Sequence, residues 1–368
     1  MSDTTIVPMI DLGRQFRSFE GDLVEIFRRV GRSGMYVDGS ELRKFQVEFA
    51  EYCDVPYAVG VGNATDGLAI VLQGMGIGRG DEVITAANSF VASGGSIAEV
   101  GATPVFADIR EDLNIDPGSV ARLVTSRTKA IMPVHLTGQP ADMDALREIA
   151  NTHSLKIIED AAQAVGACYK GKCVGGLGDA AVFSLHPLKN LHVYGDGGVI
   201  TTKSSEIYNT CIQIRNHGLI DRDTSVRVGR NSRLDEVQAA IATYKLAQID
   251  DLNERFRAIA HCYSNELSSC VVVPREHDDT YSVYHNYVIQ AENRDALKEH
   301  MASCGIATKI RYPRLINQQP AYGRMLDPSV QTPVALRVNS RILSLPIFPE
   351  MTNEETSAVI NAVQDFYS

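Results

Sequence analysis

The chain has 368 residues, a length that suits a large α/β domain joined to a smaller one rather than one typical domain. With 44% hydrophobic and 22% charged residues it can bury a substantial core, which excludes a disordered chain. A net charge of -10 with no stripe rich in Lys or Arg sets it against a phosphate backbone, so nucleic acid is not an expected partner.

The N-terminal MSDTTIVPMIDLGRQF lacks a basic start followed by an apolar core, and no run of 18 apolar residues occurs. Neither export nor a membrane span is expected. Along the chain, Leu42, Phe45 and Phe49 recur at helical spacing, and YAVGV (57–61) reads as a buried strand. EVIT (82–85), a helix from about 89, TPVFAD (103–108), a helix from about 117, KAIMPVH (129–135), a helix from 141 and LKIIED (155–160) follow. A further strand ends at Ser184, and a long helical stretch runs from about Leu234 to Ala258. Beyond it the pattern is mixed, with strand-like HNYVIQ (285–290), a helix from about 294 and strand-like ATKIRYP (307–313).

Strands alternating with helices predict a mostly parallel central sheet flanked by helices on both faces. The expected domains are 1–248, large, and 249–368, a smaller α+β domain. The seven cysteines, Cys53, Cys168, Cys173, Cys211, Cys262, Cys270 and Cys304, are odd in number, scattered and without a CxxC pair. They predict reduced thiols in a cytoplasmic protein, with no disulfide framework and no zinc site.

Ligands of such sheets sit at the carboxyl ends of the strands. That rule selects Asn63 to Asp66, Asn88 to Phe90, His135, Asp160 and Ser184. Lys189 lies in the loop after Ser184, among Pro187, Leu188 and Leu191 and before Gly195, Gly197 and Gly198. Partial desolvation there would lower its pKa and free the amine as a nucleophile, although most loop lysines are simply solvated. Asp160 closes the apolar LKII, where a carboxylate needs a cationic partner such as a protonated pyridine nitrogen; a helix N-cap is the equal alternative. Thr65 and the turn around Gly62 and Ala64 offer a phosphate site at a helix start, or else a plain cap at Thr65 or Asp66. Gly60 and Gly62 begin a GxGxxG-like fingerprint, but Thr65 occupies the third glycine position, which argues against a dinucleotide-binding oxidoreductase.

Taken together, GVGNATDGL, GDEVITAANSFVAS, GATPVFADI, PVHLTGQPADMD, IIEDAAQAVGA, FSLHPLKNL, GDGGVITT, NSRLDEVQAAI, QQPAY and SLPIFPEMT span nearly the whole chain. With these blocks, the chain resembles the DegT-type family of sugar aminotransferases that use pyridoxal 5'-phosphate, in the aspartate aminotransferase superfold (fold type I). The resemblance implies that Lys189 forms the Schiff base with the cofactor and Asp160 pairs with its pyridinium nitrogen. It puts Gln163 on the phenolic oxygen side, Phe90 against the ring face where an ordinary core Phe would otherwise be expected, and Thr65, the Ala64 backbone and Ser184 at the phosphate. Asn231 would reach the phosphate of a partner subunit, making a homodimer with shared sites; its plainer role is the N-cap of the next helix. Ala64 stands where many relatives carry Gly, Thr137 where Tyr is common, and YPRLINQQPAY departs from the usual block; these bear on the substrate rather than the cofactor.

The implied reaction is a transamination through pyridoxamine 5'-phosphate, from an amino acid donor, glutamate, to a nucleotide-linked 3-keto or 4-keto deoxysugar. A sugar dehydratase on the same scaffold, which would replace the lysine by histidine, and a regulator that binds without turnover are the alternatives.

Overall fold

The computed structural model describes residues 6–325 and 327–368. Helices α1 (Leu12–Ser33) and α2 (Ser40–Tyr52) lead into β1 (Tyr57–Val61), α3 (Ala64–Gly74), β2 (Glu82–Ala86), α4 (Val91–Glu99) and β3 (Thr103–Ala107). Next come α5 (Pro117–Leu123), β4 (Thr128–Met132), α6 (Met143–His153) and β5 (Lys156–Asp160), then the short β6 (Cys168–Tyr169) and β7 (Lys172–Cys173). Strands β8 (Ala180–Ser184) and β9 (Gly198–Thr202) and helices α7 (Ser205–Ile214), α8 (Glu236–Leu246) and α9 (Ile249–Leu267) follow. The chain ends with β10 (Thr280–Tyr281), β11 (Tyr287–Gln290), α10 (Arg294–Ser303), α11 (Pro333–Asn339), β12 (Ile342–Leu345) and α12 (Asn353–Tyr367).

Seven strands form one sheet in the order β1-β9-β8-β5-β4-β2-β3. Strand β9 runs antiparallel to both of its neighbours, and the other recorded pairings in this sheet are parallel. Successive side chains enter different cores, as a two-residue strand period requires. Val182 packs with Leu68, Ile70, Leu72 and Ile214 on one face, whereas Phe183 packs with Phe45, Phe49 and Leu146 on the other. Because both faces are covered, β2, β8 and β9 are buried at every position, which explains their continuous apolar runs.

A separate apolar cluster joins Phe256, Tyr263, Tyr287, Ile289, Leu343, Leu345 and Val359, with Val7 from the N-terminal segment. The stretch expected to be one helix over 234–258 is two: the helical run breaks at Ala247 and Gln248, and Gln248 has a φ of -121°. The expected strand over 307–313 is also corrected. Only Lys309 bridges to Ser344, because the chain turns at Arg311 and Tyr312 to line a cavity.

Candidate active site

At the carboxyl ends of β1, β5 and β8 lies a cavity of about 510 Å³ lined by Ala64, Thr65, Phe90, Asp160, Gln163, Ser184 and Lys189. The loop carrying Lys189 is pinned at its base, where Leu185 N–H donates to Gly197 O (2.8 Å) and Val193 N–H donates to Leu185 O (2.9 Å). Inside the loop Lys189 N–H closes a turn onto His186 O at 2.9 Å. Burial lowers the Lys189 amine to about 8, against the raising influence of Asp160, and nearby Arg311 lowers it further.

Asp160 is buried at the end of β5. It accepts from Ser93 Oγ at 2.6 Å and from Ala162 N–H at 3.3 Å. Burial raises its pKa despite those hydrogen bonds and the positive charge of Lys189. No helix follows Asp160, so the N-cap alternative fails; the residue is a desolvated carboxylate aimed into a cavity.

Asn63 is the true cap of α3, accepting from Asp66 N–H at 2.8 Å, so neither Thr65 nor Asp66 is spent on capping. The N–H groups of Ala64 and Thr65 precede the first intrahelical bond, from Gly67 N–H to Asn63 O, and stay open for an anion. Gly198 permits this geometry: a Cβ there would meet Asn63 C at 2.7 Å and Ala64 N at 2.9 Å. Ser184 Oγ accepts from His186 N–H at 3.3 Å and lines the cavity.

Gln163 accepts from Thr137 N–H at 2.8 Å and lies 3.5 Å from the Tyr312 hydroxyl. Phe90 is 51% exposed, not a core residue, and its ring centroid lies 5.4 Å from that of Tyr312. Asn231 is exposed outside the cavity, and α8 is preceded by Asp235, so Asn231 caps no helix here.

The strand-end rule also selected residues that the fold uses for support. His135 is buried, with Nε2 at 3.1 Å from Glu159 while its Nδ1 accepts from Ala141 N–H. Asn88 donates to Leu113 O at 2.9 Å. Thr137 adopts a left-handed φ of 61° and meets the site through its backbone; its residue lines a separate cleft of about 560 Å³ that contains no lysine.

Ser93, His285, Lys309, Arg311 and Tyr312 line the cavity and were not selected from sequence. Ser93 lies within α4 rather than at a strand end, and the others come from segments about 120 residues or more beyond Asp160, so no local spacing marks them. Asn190 donates to Asn253 and Val283 O, so its Oδ1 accepts from His285 Nδ1 (3.2 Å) and leaves Nε2 with its lone pair. Burial, reinforced by Lys189 and Arg311, holds His285 well below the usual histidine value, so its ring is neutral. The donor set fits pyridoxal phosphate: an amine, a buried carboxylate in need of a cation, and open N–H groups with hydroxyls beside them.

Residues 18–364 match the DegT/DnrJ/EryC1/StrS aminotransferase family. The chain belongs to this family. It is 43% identical over 366 residues to a protein of Geobacillus stearothermophilus named pleiotropic regulatory protein, covering 98% of each chain. It is 40% identical to dTDP-3-amino-3,4,6-trideoxy-alpha-D-glucose transaminase of Streptomyces venezuelae, covering 99% of this chain and 97% of the relative. Among solved structures, DesV of S. venezuelae in complex with a ketimine intermediate superposes with a TM-score of 0.96 at 40% identity, over 99% of both chains. The sheet and its flanking helices are those of the fold type I aminotransferases. Family members use pyridoxal phosphate, and among the described residues no cluster of three His, Cys, Asp or Glu could hold a metal ion.

Proposed function

We propose that the protein is a pyridoxal-phosphate aminotransferase that takes an amino group from glutamate and delivers it to a nucleotide-linked 3-keto deoxysugar. The observation that carries this reading is the desolvated Lys189 amine sharing one cavity with the buried Asp160 carboxylate. Bound cofactor supplies an electron sink for the carbanion formed at the substrate. Asp160 would hold the ring nitrogen protonated, with Ser93 fixing the carboxylate. Phe90 would cover the ring, and Gln163 would face its phenolic oxygen. The N–H groups of Ala64 and Thr65, with the hydroxyls of Thr65 and Ser184, would hold the phosphate, and Asn231 of a partner subunit would complete that end. Lys189 is the residue that would hold the cofactor through its aldehyde, and its Nζ would carry a proton to and from the substrate carbon. Lys309 and Arg311 supply two cations for the carboxylate of the donor and the phosphates of the acceptor.

The 3-keto position is supported by the names of relatives that make 3-amino sugars, such as the S. venezuelae transaminase. A shared active site makes a homodimer the working unit. Among the described residues no helix is long and apolar enough to cross a membrane, which together with the reduced cysteines supports a cytoplasmic enzyme. The division into 1–248 and 249–368 is supported by the separate core around Phe256 and Tyr287.

The name of the Geobacillus relative favours a second reading, a regulator without turnover. A lysine kept in its desolvated setting argues against both that reading and the histidine-based dehydratase. Steady-state assays on a panel of keto sugars, with and without a nucleotide, test the assignment; turnover only of free sugars, or of none, rejects it.

A further inference from the structure

Two cysteines face each other across a tight hairpin. Strands β6 and β7 pair in antiparallel register with Tyr169 opposite Lys172 and Cys168 opposite Cys173. The turn residues Lys170 and Gly171 have φ values of 50° and 72°, which matches the type I′ turn that suits a two-residue hairpin and fixes its register. Val174 N–H donates to Ala167 O at 2.9 Å, so by the alternation of an antiparallel ladder the Cys168–Cys173 pair is a non-hydrogen-bonded one. In such pairs the Cα atoms are about 4.5 Å apart, within the range of about 4.4 to 6.8 Å that a disulfide spans.

The thiols already touch, with Cys168 Sγ donating to Cys173 Sγ at 3.8 Å. Side-chain rotation alone can bring them to the bonding distance of about 2 Å. Both are partly exposed, whereas Cys53 and Cys211 are buried. We propose that Cys168 and Cys173 form a reversible dithiol–disulfide site, oxidised by exchange with a small-molecule disulfide.

The roles are unequal. The hydrogen bond from Cys168 holds the Cys173 thiol below its usual value, against burial and the negative charges of Asp250 and Asp54. The same bond, with burial, pushes Cys168 up. Cys173 is therefore the attacking thiolate. It displaces one thiolate from the small disulfide and forms a mixed disulfide. Cys168 then attacks the Cys173 sulfur, loses its proton and expels the second thiolate. One small disulfide becomes two thiols, which take up the two protein protons.

The test equilibrates the holoenzyme with oxidised and reduced glutathione, quenches in acid, alkylates free thiols and weighs the peptides. At a ratio that begins to modify exposed Cys262, the peptide spanning 168–173 should carry no alkyl group and no glutathione, and be lighter by two hydrogens. Cys168→Ser should instead retain glutathione on Cys173, and Cys173→Ser should react about tenfold more slowly. The wild-type result stands even if a variant fails to fold. Two alkylated cysteines at that ratio, or stable glutathione adducts on the wild-type pair, would overturn the proposal.

Discussion

Lys245 Nζ lies 2.8 Å from Nε2 of His192, although both side chains are buried. His192 Nδ1 donates to the carbonyl of Lys189 at 2.8 Å, so its Nε2 is the acceptor and Lys245 the donor. A side chain of α8 thus supports the loop that presents the Lys189 amine. Burial lowers His192 to about 3 and Lys245 to about 7, with Glu350 opposing the shift on Lys245.

Lys245→Met should destabilise the protein by about 1 to 3 kcal/mol, because it leaves the His192 acceptor buried and unpaired. The pH dependence follows from the lowered value. Below about 7 the folded state carries the charge and its full burial cost. Between there and the ordinary lysine value the folded state sheds a proton that the unfolded chain keeps, so wild type gains stability as pH rises. Thermal melts from pH 7 to 9 should show the gap between wild type and Lys245→Met widening; a constant or shrinking gap would contradict the buried cation.

If Asp160 pairs with the ring nitrogen as proposed, Asp160→Asn should slow transamination by roughly 10² to 10³-fold, since it removes the charge that would keep that nitrogen protonated. Ser93→Ala removes one hydrogen bond to that carboxylate, worth about 1.5 to 3 kcal/mol, and should cost about 10 to 100-fold. Unchanged kcat in Asp160→Asn would reduce Asp160 to a structural group.

On the proposed role of Lys189, capture of pyridoxal phosphate by cofactor-free protein needs its amine neutral, and burial lowers that amine to about 8. The capture rate should rise with pH and level off above about 8. A rate still climbing near pH 10 would mean that Lys189 is solvated.

Two inactive variants, Lys189→Ala and Asn231→Ala, should regain activity when their subunits exchange. Each mixed dimer then has one site with both defects and one with neither. The exposed position of Asn231 outside its own cavity motivates the test. Exchange proved with tagged subunits, yet without recovered activity, would assign Asn231 to its own chain.

Much of the cavity lining was legible because strand ends in a parallel sheet converge: the positions of Thr65, Asp160 and Ser184 follow from the apolar runs alone. Ser93 was not, since its place beside Asp160 depends on how α4 packs beside β5. His285, Lys309, Arg311 and Tyr312 come from chain that returns to the cavity by tertiary packing, and 307–313 looks like a strand because the same alternation suits a segment with one face on a cavity. The break at Ala247 and Gln248 carried no Gly or Pro, so helix propensity ran through it.

The central claim is tested most directly by adding glutamate to the purified holoenzyme and following the cofactor absorbance, with wild type and Lys189→Ala side by side. Wild type should convert to the pyridoxamine form and revert when a nucleotide-linked 3-keto sugar is added, while Lys189→Ala does not turn over. A wild-type spectrum unmoved by glutamate, or turnover in Lys189→Ala equal to wild type, would contradict the account.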